Sequence, residues 1–180
     1  MSTKLKDRPA RTYTTGKMTR ALRYVAVIGV GALSMYVAFT YDGVPDTVPT
    51  HFGFTGEADD WGPKWSIWVL LGINVLMVGL IAWLSTRPQW LNYVSDITDD
   101  NAQRLYREGE RMMVWMSVAI MVLSYGTVLS IYEIDTPLLV VGLIALPAIT
   151  ITSLIRMSLA ADKKPAQDGP LDSTIKNVNW

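Results

Sequence analysis

Four long stretches without charge constrain this chain more than any other feature of its sequence. A helix rises about 1.5 Å per residue, so roughly 20 apolar residues cross the hydrocarbon core of a bilayer, which is about 30 Å thick. None of the four stretches contains Asp, Glu, Lys, Arg or His. The sequence therefore predicts an all-α integral membrane protein with four transmembrane helices, at about residues 24–41, 65–84, 112–132 and 137–155.

Basic residues between these stretches predict their orientation. Residues 1–23 and the loop 85–111 are rich in Lys and Arg, whereas the loop 42–64 carries only Lys64. Because segments rich in Lys and Arg stay in the cytoplasm, we expect both termini inside the cell and the loop that contains Lys64 outside the plasma membrane. The predicted organisation is a cytoplasmic polar segment (1–23), a transmembrane domain (24–156) with an outer loop (42–64) and an inner loop (85–111), and a cytoplasmic polar tail (157–180).

Composition excludes several classes of function. The 16 Lys and Arg residues balance the 16 Asp and Glu residues, which argues against nucleic-acid binding, because that needs a basic surface. The absence of Cys excludes disulfides, thiolate metal sites and thiol nucleophiles. One His, without a glycine-rich phosphate loop or a nucleophile elbow, forms no catalytic motif. We therefore expect a non-enzymatic protein without cofactor or metal, whose partners are the lipid bilayer and other membrane proteins but no nucleic acid.

The outer loop has the sequence of a compact cap. Pro45 and Pro49 hold its start in an extended conformation. Residues 50–54 can form a short strand that turns back near Thr55 and Gly56, which predicts a small β-hairpin. Ligand or partner recognition is expected from polar and aromatic residues of this cap: His51, Glu57, Asp59, Asp60 and Trp61.

His51 has three possible roles. Its side chain can fix the loop by hydrogen bonds to backbone groups, or it can sense a proton or a ligand, because its ordinary pKa lies near neutral pH. A metal site with nearby carboxylates is a third reading, but one His without a spaced partner is a poor metal signature.

Inside the predicted spans, polar and small residues suggest helix contacts. Asn74 lies near the middle of the second span, where an Asn side chain usually forms a hydrogen bond with a neighbouring helix; lining a substrate path is the alternative. Gly72 and Gly79 lie seven residues apart on one face, so we expect them to allow close helix packing.

The inner loop predicts a helix that begins near Asp99 and Asp100 and continues into the third span. The pairs Arg104–Glu108 and Arg107–Glu110 are spaced to form ion pairs on an exposed face. Docking of a partner or an anionic lipid is the alternative for these charges. The polar segments at both ends of the chain are expected to be weakly held.

The outer loop also resembles a known bacterial family. Its Pro45, Pro49, His51, Phe52, Gly56, Asp59, Gly62 and Lys64 match the signature of the domain of unknown function 1648, which also forms the N-terminal part of SdpI-like toxin-immunity proteins. Residues 97–104 are similar to the family's segment that leads into its third span. The resemblance implies a protein of the bacterial plasma membrane, and the family has no settled chemistry to transfer.

Three functions fit these observations. The first is a non-enzymatic SdpI-like protein whose outer loop recognises an external peptide, toxin or envelope component. The second is an accessory subunit of a larger membrane complex, such as a respiratory or energy-converting assembly. The third, a small transporter, is disfavoured because no predicted span carries an ionisable residue.

Overall fold

Four long helices and one two-stranded hairpin make up the computed structural model, which describes residues 8–53 and 55–162. The helices are α1 (Lys17–Thr40), α2 (Ser66–Leu84), α3 (Ala102–Ile131) and α4 (Leu138–Asp162). The strands are β1 (Thr47–Phe52) and β2 (Ala58–Pro63), and short 3-10 turns lie at Tyr41–Gly43 and Pro88–Trp90. All four helices are long and apolar enough to cross a membrane. The predicted helical membrane fold with a small hairpin is confirmed.

Three helices extend beyond the apolar stretches at the end of the bundle away from the hairpin. α1 begins at Lys17, α3 begins at Ala102, and α4 continues to Asp162. Lys, Arg, Glu and Ala are good helix formers, so the helix continues where the sequence becomes charged. The predicted continuity of the inner-loop helix with the third span is confirmed. Of the predicted tail, residues 163–180 lie outside the described part of the chain, as do residues 1–7 of the N-terminal segment.

α3 is the central helix, and it packs against α1, α2 and α4. The core near the hairpin joins side chains from α1, α2, α3 and β1. All of these elements meet in this region, and aliphatic side chains fill the space between them by close packing. Its buried members are Leu33, Val37, Val44, Val48, Ile67, Leu71, Val128 and Ile131.

Two glycines, Gly126 of α3 and Gly142 of α4, allow these helices to pack very closely. A Cβ atom at Gly126 would overlap the backbone of Leu138 and Leu139, and one at Gly142 would lie 2.7 Å from the Cα of Leu123. Only a residue without a side chain fits such a contact. α4 therefore lies against α3 backbone to backbone.

Among the described residues, no helix packs closely against Gly72 or Gly79, contrary to the predicted packing role. A Cβ atom at either position would meet no other atom within 4 Å. The seven-residue spacing indicates that both glycines share a face of α2, but it does not indicate which helix that face meets. In the described part of the chain, the face at these glycines is open.

Asn74 is buried in α2, but its hydrogen bond differs from the predicted one. Its Nδ2 donates to the carbonyl oxygen of Leu70, one turn earlier in the same helix, at 2.9 Å. A short polar side chain inside a helix can satisfy itself on its own backbone in this way. The predicted hydrogen bond to a neighbouring helix is therefore replaced by a local one.

Candidate functional site

The hairpin between α1 and α2 is anchored on one face and open on the other. Val48 of β1 is completely buried in the core below, whereas most other hairpin side chains are exposed. Lys64 closes the base of the hairpin, because its backbone N–H donates to the carbonyl of Asp46 at 2.9 Å and its ammonium lies 3.5 Å from the Asp46 carboxylate. The hairpin is thus a supported platform with a polar outer surface.

The turn of the hairpin requires glycine at one position. Gly56 has a φ of 86°, a conformation that residues with a Cβ adopt at a cost. A Cβ atom there would also lie 3.0 Å from the Cγ2 of Val140 and 3.4 Å from the Cδ2 of Leu139. The turn therefore rests directly on the first turn of α4. The predicted turn near Thr55 and Gly56 is confirmed, and Phe54 lies outside the described residues.

Two compensating irregularities in the strand pairing bring His51 and Asp59 together. Pro49 pairs with Trp61 and His51 pairs with Asp60, so β1 has one extra residue, Thr50, between these pairs. The next pair is Phe52 with Ala58, so β2 in turn has one extra residue, Asp59. Extra residues of this kind redirect side chains. The Nδ1 of His51 lies 2.5 Å from Oδ1 of Asp59.

This His51–Asp59 pair is open to solvent, with side chains that are 68% and 54% exposed. Hydrogen bonds to backbone groups were one of the three roles considered for His51; the structure instead gives it a carboxylate partner. In such a pair one nitrogen of the imidazole faces the carboxylate while the other remains available to a ligand. Among the described residues, no third His, Asp or Glu joins the two to form a metal-binding group.

The other predicted recognition residues lie on the same hairpin. Asp60 accepts a hydrogen bond from the backbone N–H of Trp61 at 2.9 Å and a longer one from the Thr50 hydroxyl at 3.4 Å. The Trp61 side chain is 58% exposed. Glu57 is exposed, and its backbone carbonyl accepts from Gly53 at 2.9 Å. The structure therefore places all five predicted residues on the hairpin, and their role in recognition stays a prediction.

A second polar centre lies at the opposite end of the bundle and was missed by the sequence reasoning. Glu110 of α3, expected on an exposed face with Arg107, is only 2% exposed. Its Oε1 accepts from Arg23 and from the Thr15 hydroxyl, both at 2.6 Å, and its Oε2 accepts from the Tyr13 hydroxyl at 2.8 Å. Arg11 completes the ion pairing at 3.3 Å.

The N-terminal segment is held against the helices both by the Glu110 centre (Glu110 with Arg11, Tyr13, Thr15 and Arg23) and by further hydrogen bonds. Arg8 donates to the carbonyl oxygens of Gln89 and Leu91 at 2.9 and 2.6 Å, and Gln103 of α3 donates to the carbonyl oxygen of Ala10 at 2.7 Å. Residues 8–15 are therefore tied down along their length. The expectation that this part of the N-terminal segment is weakly held is wrong.

The Tyr13 phenol in the Glu110 centre keeps its proton to a higher pH than an ordinary tyrosine. Burial raises the pKa of the Tyr13 phenol above its usual range, and the hydrogen bond to Glu110 adds to the effect. A phenol that keeps its proton continues to donate to the carboxylate. Donors from four residues, Arg11, Tyr13, Thr15 and Arg23, surround the buried carboxylate, so Glu110 itself is satisfied and can act as a structural clamp.

One signal in the sequence could have located Glu110. The buried residues of α3 recur every three or four positions, through Tyr106, Glu110, Val114 and Ser117. Glu110 falls within this buried stripe, whereas Arg107 at its edge is exposed. Helical periodicity was therefore a better guide to its position than the spacing of opposite charges.

Comparison with known proteins finds a family match in the region around the hairpin. Residues 28–75 match the family model described as Domain of unknown function (DUF1648). An uncharacterized protein of Archaeoglobus fulgidus is 39% identical over 73 residues, which make up 41% of this chain and 38% of that protein. The match thus spans well under half the length of this relative. No solved structure matches this chain significantly. The residues that match the DUF1648 model comprise the second half of α1, the hairpin with its His51–Asp59 pair and the first half of α2.

Proposed function

We propose that this protein is a non-enzymatic, SdpI-like membrane protein whose hairpin recognises a peptide, toxin or envelope component outside the cell. The observation that carries the proposal is the solvent-exposed His51–Asp59 pair, which a hairpin with a buried underside presents. Binding residues commonly lie on connecting segments that a rigid scaffold positions.

The charge of the outer surface favours a basic ligand. Glu57, Asp59 and Asp60 are all exposed on the hairpin, whereas Lys64 at its base is already paired with Asp46. Complementary charge speeds encounter and selects among partners. Trp61 adds an exposed aromatic ring, a type of side chain that often anchors protein interfaces. A cationic peptide is therefore the ligand class that this surface suits best.

We expect the hairpin outside the cell and the Glu110 centre inside. The absence of native Cys allows a clean test with single cysteines at two exposed positions, Thr55→Cys on the hairpin and Asp99→Cys before α3. A membrane-impermeant maleimide added to intact cells should label the first cysteine, and should label the second only after permeabilisation. The reverse pattern would contradict the proposed sidedness.

Recognition by the hairpin can be tested without knowing the ligand. A photo-crosslinking benzoylphenylalanine in place of Trp61 keeps an aromatic ring at this exposed position. Irradiation of native membranes should yield a discrete adduct, and the triple change His51→Ala, Glu57→Ala and Asp59→Ala should reduce it at least tenfold, because three polar contacts of about 0.5–1.5 kcal/mol each are lost.

The control for this experiment is the same probe combined with Asp99→Ala and Asp100→Ala, which remove exposed carboxylates near the opposite end of the bundle. This variant should keep the full yield of adduct. An adduct of equal yield in the triple variant would show that the polar surface of the hairpin does not select the ligand, and the proposed function would fail.

A further inference from the structure

A cavity at the end of the bundle away from the hairpin is lined by four arginines. Arg104, Arg107 and Arg111 come from α3, and Arg156 comes from α4. The cavity has a volume of about 450 Å³. It lies in the angle between two helices that are long and apolar enough to cross a membrane. The charged ends of helices that cross a membrane lie at the level of the lipid headgroups.

One carboxylate partly neutralises these arginines. Oε1 of Glu108 accepts from Arg111 at 2.7 Å, and its Oε2 pairs with the Nε of Arg156 at 2.9 Å. Four guanidinium groups and one carboxylate therefore leave the cavity with an excess of positive charge. Such an excess favours an anionic ligand, and guanidinium groups bind phosphate oxygens through paired hydrogen bonds.

Arg107 is the arginine most available to such an anion. Its guanidinium lies over the ring of Tyr13, 4.9 Å from the ring centroid. In residues 8–53 and 55–162 its N–H groups have no hydrogen-bond acceptor. Stacking on the ring fixes the plane of the guanidinium and leaves its edge free to donate to two oxygens of one ligand. Arg107 is thus oriented by the Tyr13 ring, and its N–H groups face solvent, where a ligand can accept from them.

The cavity also has an apolar border. Leu159 of α4 lines it and is 61% exposed, one turn beyond the apolar part of the helix. A soluble anion gains nothing from an exposed leucine, whereas an acyl chain that continues from a headgroup packs against it. The combination of guanidinium groups and an apolar edge favours an amphiphilic ligand.

We propose that this arginine cavity binds a phosphate group, and that the phosphate is the headgroup of an anionic lipid. Guanidinium groups bind phosphate through paired hydrogen bonds. Basic pockets between membrane helices are a recognised place for anionic headgroups. The proposal does not depend on what the hairpin recognises, because it uses a different end of the molecule.

Native mass spectrometry of the full-length protein in mixed micelles tests the proposal. Phosphatidylglycerol should form discrete adducts, and phosphatidylcholine should form far fewer. Arg107→Gln with Arg156→Gln should weaken phosphatidylglycerol binding about tenfold or more, since each basic residue near a lipid surface contributes enough for several-fold in affinity. Glu108→Gln should strengthen binding several-fold, because it frees Arg111 and Arg156 for the phosphate.

The matched control removes two arginines that lie outside the cavity. Arg20 donates to the Thr15 carbonyl, and Arg87 stacks on Trp83 and Trp90. Arg20→Gln with Arg87→Gln changes the net charge equally and should leave phosphatidylglycerol binding unchanged. An equal loss in both double variants would overturn the proposal, because basic charge in general, and not the cavity, would then explain binding.

Two further measurements distinguish a lipid from a soluble phosphate and guard against a variant that does not fold. Inorganic phosphate at millimolar concentration should not displace the lipid; displacement would assign the cavity to a soluble phosphate and overturn the lipid assignment. If the Arg107→Gln, Arg156→Gln variant fails to fold, Arg107→Gln alone serves, because Arg107 makes no hydrogen bond in the described chain. Unchanged phosphatidylglycerol binding in that single variant would also overturn the proposal.

Discussion

Replacing Glu110 with alanine is expected to lower the free energy of unfolding by about 3–5 kcal/mol, the usual cost of removing one partner from a buried ion pair. The carboxylate is 2% exposed and accepts from Arg23, Thr15 and Tyr13. Without it, Arg23 and Arg11 keep their charges in a partly buried place with no counter-charge. Denaturation of the purified protein in detergent measures the loss.

The same Glu110→Ala variant should release the N-terminal segment. Hydrogen exchange at residues 9–16 should become faster, because three of the side chains held by Glu110 belong to that segment. Asp99→Ala, which removes an exposed carboxylate at the same end of the bundle, should change neither stability nor exchange by much. Similar stability in both variants would mean that Glu110 is not the clamp described above.

Gly126→Ala is expected to lower the free energy of unfolding by at least about 1–3 kcal/mol, because the added methyl group overpacks the contact between α3 and α4. The new Cβ would overlap the backbone of Leu138 and Leu139, and backbone atoms cannot rotate away as a flexible side chain can. α3 and α4 would have to separate at the contact that holds α4 in place. Denaturation in detergent measures this change as well.

Gly72→Ala is the matched control, since it adds the same methyl group to an apolar helix where no atom lies within 4 Å. It should leave stability unchanged or raise it by up to about 1 kcal/mol, because alanine is the better helix former. If Gly72→Ala proved as costly as Gly126→Ala, the face of α2 at Gly72 would have to be packed against something, and the open face described here would be wrong.

The hairpin and the Glu110 centre differ in how much of their structure could be predicted from the sequence. His51 and Asp59 lie close in sequence, and a turn between two short strands was predictable from Pro49 and Gly56. Their direct pairing was not predictable, because it depends on the extra residues at Thr50 and Asp59 in the strand register. A shift of one residue in either strand would point one of the two side chains elsewhere.

The Glu110 centre shows the opposite case, in which the local pattern was misleading. The spacing of Arg107 and Glu110 fits an ion pair on a solvated helix, and this spacing is common on exposed faces. In the structure, Glu110 instead contacts Arg23 of α1, which is 87 residues away in sequence, and Tyr13 of the N-terminal segment, which is 97 residues away. No local rule gives contacts at that separation.

The sequence by itself determined the number of helices, their approximate positions and the presence of a hairpin, because uncharged stretches, prolines and glycines act on the nearby backbone. Tertiary structure alone decided which face of each helix is covered. It placed the close helix contact at Gly126 and not at Gly72, buried Glu110, and brought Arg156 to the arginines of α3. These outcomes depend on how whole helices pack, since the energy of a contact between helices is absent until both surfaces meet.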